Sequence, residues 1–226
     1  MEYLQYLLLI PLIWLLICAS GMLPVVLLRF SDFSPVKQPI PIFEKAISVI
    51  DPTWIQANEF HGKCAIEPLG IPMAIFTNAD DTIALAVYFA ADQRIIDMVS
   101  KFPGGISITT STTIDGPLLP SPQGIMYQAF PGLDAEYLLR LHHEATEFLQ
   151  QTLKTELLRH DDVASDMKKF TSDQLSYLLF RPWKILTLPY RYAITRHTRK
   201  ELTLVQQAHK GIINIEKLVR QSQGMG

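Results

Sequence analysis

Titratable side chains are densest at His142-His143-Glu144 with Glu147. A zinc-protease helix places two histidines four residues apart, HExxH, so that both imidazoles reach one metal. Here 143–147 reads HEATE, with Glu147 where the second histidine should stand. The motif fails. His143 and Glu147 would still face the same way on a helix, but a shared metal would need His61 or His160 as a distant third ligand. The simpler reading is a polar stripe beside an apolar helix face, with no metal and no cofactor.

His61 and Cys64 flank Gly62-Lys63. A cysteine becomes a nucleophile only as a thiolate, which needs a base or cation beside it, and one Cys and one His three apart carry little specificity. Thr109-Thr110-Ser111-Thr112-Thr113 offers hydroxyls that could hold a ligand, but the composition suits a strand with an exposed polar face. The chain has no G-x-S-x-G elbow, P-loop or dinucleotide glycine fingerprint. Asn78, Asp80 and Asp81 lack the Gly and terminal Glu of a calcium loop and read as turn formers.

The strongest binding signal lies at 181–200, RPWKILTLPYRYAITRHTRK. Arg181, Lys184, Arg191, Arg196, Arg199 and Lys200 give it six positive charges and no acid, interleaved with Trp183, Tyr190 and Tyr192. Cations with aromatic rings suit the lipid headgroup layer. A strand-like linker packed on the acidic part of the same chain is the competing reading. Nucleic acid wants similar residues, but beside an apolar anchor lipid is the simpler partner.

That anchor is the run 7–28. No charged side chain occurs between Glu2 and Arg29, and a helix over 7–28 would cover roughly 33 Å. Cys18-Ala19-Ser20-Gly21 resembles a signal cleavage site, yet the apolar run continues past it and no Lys or Arg precedes it. A retained transmembrane helix over 1–30 is therefore expected. Arg29, Lys37 and Lys45 follow the run, which predicts a single-pass topology with a cytoplasmic body. Two cysteines without an obvious pairing agree with a reducing compartment.

Residues 31–41 contain three prolines and read as a spacer. Then 43–50 suits a short helix, with Trp54 and Ile55 as a core anchor. Strands are predicted at 72–77, 83–91, 95–102, 105–113 and 124–130, divided by turn signals at 78–81, 91–93, 103–105 and 115–116. Such short connections favour an antiparallel meander. Asp134 is placed to cap an amphipathic helix over 135–160 that covers the sheet. A short helix over 175–180 follows a capping-box pattern at 171–174, a further helix is expected over 189–221, and 224–226 should fray.

Charge is divided unevenly: 32–162 holds 17 acidic and 8 basic residues, whereas 163–226 holds 4 acidic and 11 basic. Either the parts neutralise each other by packing or the basic part meets an anionic partner. The predicted class is α+β: an N-terminal transmembrane helix (1–30), a spacer (31–41), an antiparallel sheet of four or five strands covered on one face by helices (42–162), and a basic helical region (163–226). With no catalytic set in view, the functional expectation is a membrane-anchored binding or assembly protein with the lipid bilayer and a protein as partners, and no nucleic acid. The alternative is a small tethered enzyme acting on a lipid or other amphiphile, with His61, Cys64, His142, His143 and Glu147 converging through the fold.

Overall fold

The computed structural model of the chain describes residues 2–29, 31–90, 93–114 and 120–224; in the first helix it describes the side chains of residues 9, 11–20, 22, 23, 26 and 27, and it leaves out that of Arg196. The turn signals at 91–93 and 115–116, and the tail at 224–226, lie wholly or partly outside these residues.

Among the described residues six strands form one sheet: β1 (His61–Ile66), β2 (Met73–Thr77), β3 (Ala84–Ala90), β4 (Gln93–Phe102), β5 (Ile106–Ser111) and β6 (Ile125–Ala129). Their spatial order follows the chain. β1 to β5 are antiparallel neighbours, as the short turns require. The sheet departs from the expected meander of four or five strands in two ways. β1 is additional; its sequence, HGKCAI, opens with three exposed residues on the sheet edge and carries no alternation. β6 pairs with β5 in parallel, Ser107 opposite Ile125 through Ser111 opposite Ala129, and the stretch 112–124 between the two strands is long enough for the crossover that a parallel pair requires.

Helices cover both faces, not one. In front lie α2 (Ile40–Ile47), α3 (Pro52–Ala57) and α4 (Ala135–Leu153). Phe76, Leu85, Val87, Ile96 and Met98 meet Ala46, Ile55 and Leu138 in one core, beside which Trp54 stacks on Phe60 with ring centroids 5.5 Å apart. Asp134 caps α4 through the Tyr137 amide at 2.9 Å, as expected. The helix nevertheless stops at Leu153 rather than continuing to 160. Lys154 adopts a left-handed φ of 54° and turns the chain back to β4, where the Leu158 amide donates to the Lys101 carbonyl at 2.8 Å.

On the back face lies α5 (Val163–Leu179), capped by Asp162 through the Ser165 amide at 3.1 Å. It begins well before the expected 175, and Thr171 sits inside it, its hydroxyl donating to the Met167 carbonyl at 3.0 Å. Val163 and Ala164 pack with Ile66, Ile75 and Ala84. α5 also leaves the threonine-rich strand without a solvent-facing side: Thr109, Thr110 and Ser111 are all buried. The expectation of an exposed polar face there was wrong because each side of β5 is covered.

The first helix, α1 (Glu2–Arg29), lies against the outside of α5, where Met22 joins Leu175 and Leu178. Its longest continuous run of described side chains is 11–20. Among the described residues no helix is long and apolar enough to cross a membrane, so the expected transmembrane helix is not a feature that this fold establishes.

Beyond α5 the basic stretch is not strand-like. It runs through a 3-10 turn (Pro182–Thr187), α6 (Leu188–Tyr190), a π turn (Arg191–Thr195) and α7 (Arg196–Arg199). Pro182 and Pro189 both stand in first turns, where the missing amide proton has no helical partner to lose. The helix expected over 189–221 is broken. Glu201 takes a left-handed φ of 60° and its amide donates to the Ala129 carbonyl at 2.8 Å, after which α8 (Leu204–His209) and α9 (Ile215–Ser222) start from their own caps. α9 seats on Gly104, whose φ is +76° and where a Cβ would stand 2.5 Å from the Gln221 carbonyl oxygen.

Candidate functional site

The histidines go to separate environments. His142 is 0% exposed and bridges the sheet, its Nε2 lying 3.0 Å from Ser100 Oγ and its Nδ1 2.8 Å from Thr110 Oγ1. Ser100 donates its proton to the Thr82 carbonyl at 2.9 Å, so it accepts from Nε2–H, and Nδ1 accepts from Thr110. Gln128 completes the set: its amide nitrogen donates to Thr110 Oγ1 and the Leu141 carbonyl, and its oxygen takes the first amide of α8 from Leu204 at 2.8 Å. One tautomer satisfies every member. Burial pushes the His142 pKa down to about 3, and the neutral ring acts as a structural bolt rather than a base in a cleft.

His143 and Glu147 are exposed on the other side of α4. His61 lies at the sheet edge, 3.1 Å from Thr77 Oγ1, in a cluster centred on Asp81. A bulge in β1 between Gly62 and Cys64 turns Lys63 toward the same carboxylate at 2.9 Å. Hydrogen bonds from Thr77 and Lys63 hold Asp81 well below the usual carboxylate range. Cys64 packs instead against the buried cluster of Phe33, Ile66, Ile75, Ala84, Val163 and Ala164, and burial pushes its thiol up, away from a thiolate. His160 is enclosed behind β4, with Asp166 Oδ2 at 3.0 Å and the Val99 carbonyl at 3.1 Å; burial pulls its pKa down against the opposing pull of Asp166. Lys101 donates to the same Asp166 oxygen at 2.6 Å, joining the acidic and basic parts of the chain. Among the described residues no three His, Cys, Asp or Glu side chains are grouped to hold a metal.

What the fold does bring together is part of the basic stretch. A cleft of about 310 Å³ opens beside β6, lined by the 120–124 loop, Tyr127, the 212–214 loop and four cations, Lys184, Arg191, Arg199 and Lys217. No carboxylate lines it among the described residues. In an uninterrupted α-helix Arg191 and Arg199, eight apart, would sit about 80° apart around the axis. The π turn closes wider i→i+5 hydrogen bonds and advances fewer degrees per residue, which draws the two toward one face. Burial pulls both guanidinium pKa values down, and the charge of Arg199 adds to the effect on Arg191. Lys184 also contacts Tyr177, donating to its hydroxyl.

The aromatics of the same stretch turn the other way. Trp183, Tyr190 and Tyr192 are 62%, 54% and 56% exposed, and Phe180, Leu186 and Ile194 beside them are exposed too. This surface meets α1, whose Trp14 Nε1 donates to the Leu186 carbonyl at 2.9 Å. Leu9, Leu12, Ile13, Leu15, Leu16, Leu23 and Leu27 of α1 stand in the open. Arg181 and Lys200 are exposed, Arg181 against the Tyr177 ring and Lys200 paired with Glu201 at 3.1 Å. The side chain of Arg196 lies outside the described set.

No family model, curated protein or solved structure matches the chain. Sequence reasoning found Lys184, Arg191 and Arg199 as a basic run, but missed their separation from the aromatics and the contribution of Lys217. Only the π turn and the return of α9 to the sheet reveal these.

Proposed function

We propose that this protein is a membrane-attached binding or assembly protein, in which α1 and the 179–194 segment enter lipid together and hold an α+β body at the bilayer surface. The observation that carries the reading is the set of exposed apolar side chains on these two segments, which meet where Trp14 Nε1 donates to the Leu186 carbonyl. Water-facing Leu, Ile, Trp and Tyr side chains over this extent mark a surface that meets another apolar phase. Trp183, Tyr190 and Tyr192 lie in the same segment as Lys184 and Arg191, a composition that suits a headgroup layer. The absence of charge between Glu2 and Arg29 supports insertion of α1, and the cations after it support a body on the cytoplasmic side. A binding role rather than catalysis is supported by the dispersal of His61, Cys64, His142 and His143 into separate environments.

Tryptophan quenching tests the reading, because the three tryptophans occupy three settings. Chains keeping only Trp14, only Trp183 or only Trp54 would be reconstituted into vesicles with lipids brominated at known acyl depths. Trp14 and Trp183 should be quenched, Trp183 best by shallow bromines, while Trp54, stacked on Phe60, should be protected. The depth profile of Trp14 separates a helix crossing the bilayer from one lying in it. Quenching of Trp14 and Trp183 no stronger than that of Trp54 would overturn the proposal.

A further inference from the structure

One face of α1 belongs to the body. Trp14, Cys18 and Met22 stand four residues apart on the same side of the helix: Trp14 donates to the Leu186 carbonyl, Cys18 is buried, and Met22 packs on Leu175 and Leu178 of α5. Beyond Met22 the chain keeps to α5, for Phe33 joins Val163 and Ala164 at the other end of that helix. Leu9, Leu16 and Leu23, seven residues apart, lie on the opposite side of α1 and are exposed.

This docking limits how far α1 can enter a bilayer. A helix that crosses the hydrocarbon layer needs about 30 Å of uncharged length. Between Glu2 and Trp14, the part that extends ahead of the body contacts, α1 rises only about 18 Å. Driving it deeper would carry α5 into hydrocarbon with Ser165, Lys168, Lys169, Ser172 and Asp173 exposed upon it, where charged side chains are expensive. A helix lying in the interface ordinarily turns a polar face to water. In α1 the body takes the place of that face by covering the Trp14, Cys18 and Met22 side, so an apolar run read along the sequence does not separate the two cases.

We propose that α1 enters a single leaflet and does not cross the bilayer: it lies along the membrane plane with Leu9, Leu16 and Leu23 directed into the acyl chains and its other face docked on α5 and the 179–194 segment. The partner surface is one lipid leaflet, and both ends of α1 stay on the side of the body. The inference rests on the membrane reading above and goes beyond it by fixing the depth of α1.

The test is a nitroxide depth scan of the full chain on vesicles of phosphatidylcholine with phosphatidylserine. Leu9→Cys, Leu16→Cys and Leu23→Cys are labelled one at a time. Collision with oxygen, which concentrates in hydrocarbon, is then compared with collision with a water-soluble nickel chelate. The three positions span about 21 Å of helix. In one leaflet they should report equal depth, all short of the bilayer midplane. A crossing helix instead separates neighbouring labels by about 10 Å of depth, with at least one near the midplane, and that result would overturn the proposal. So would weak collision with both reagents, which marks a second copy or another protein covering this face. Strong collision with nickel and little with oxygen at all three positions would refute the membrane reading itself, and this inference with it. Cys18→Ala and Cys64→Ala remove the native thiols. If that chain fails to fold, both stay in place, since Cys18 is buried and Cys64 partly so, and one label per chain is verified by mass.

Discussion

Replacing His142 with leucine should destabilise the fold in a way that depends on pH. The substitution keeps an apolar filler of similar bulk but leaves the Thr110 hydroxyl without its acceptor and Ser100 Oγ without its donor. Unpaired buried groups of this kind cost roughly 1–3 kcal/mol, which should be the loss at pH 7. Below an ordinary histidine value of 6.5 the unfolded chain takes up a proton that folded His142 refuses until about pH 3. The unfolded state then binds more protons, so the wild type loses stability as pH falls from 6.5 toward 3 and keeps all of this contribution above 6.5. The loss is about tenfold in the folding constant per pH unit, or roughly 2 kcal/mol between pH 6.5 and 5. His142→Leu has no such group, whereas His160 and Asp81 titrate in both chains and cancel. Urea denaturation in mild detergent, followed by circular dichroism, should show wild type and variant converging near pH 5. A stability gap that stays constant from pH 7 to 5 would show that the folded ring accepts protons freely, and the buried-bolt account would be wrong. His143→Gln, on the exposed side of the same helix, should shift stability by less than about 1 kcal/mol at either pH.

Asp81→Asn should cost about 1–2 kcal/mol at pH 7, because the amide keeps the left-handed turn but loses the charge facing Lys63 and Arg159. The Asp81 carboxyl is held low, so its contribution is present above the ordinary carboxylate range and lost below it; thermal melts of the two chains should therefore converge as pH drops toward 3. Gly104→Ala forces a Cβ onto the Gln221 carbonyl at a positive φ, and should lower stability by more than about 2 kcal/mol and speed hydrogen exchange in Ile215–Ser222 first. Lys154→Gly should raise stability by about 0.5–1 kcal/mol, since the left-handed position ending α4 strains any Cβ; a lowered melting temperature would contradict this.

Local rules located much of the architecture. Alternation marked β2 to β6 to within about two residues. Asn78 made its turn as expected, its side-chain oxygen accepting from the Thr82 and Ile83 amides at 2.9 Å each. Asp134 capped α4. Other features were illegible for definable reasons. β1 forms because a partner edge is available, and a sequence beginning His-Gly-Lys carries no period of its own. α5 hides its apolar face among charged residues, with Val163, Met167 and Leu175 spaced between Asp166, Lys168, Lys169 and Asp173. Its placement behind the sheet, which buried β5 on both sides, depends on contacts with β1 and α1 that lie far away along the chain.

For the candidate sites the division is sharper. Composition by itself determined that cations and aromatics would be crowded into 181–200 and that 7–28 would be apolar, because both are properties of residues counted along the chain. It could not decide which side chains of 181–200 would face together, since that depends on a single wide helical turn and on α9 returning from elsewhere in the chain. Nor could it distinguish His142 from His143. Neighbouring residues on a helix point about 100° apart, and only the position of the sheet decides that one is sealed among Ser100, Thr110 and the helix itself while the other meets solvent.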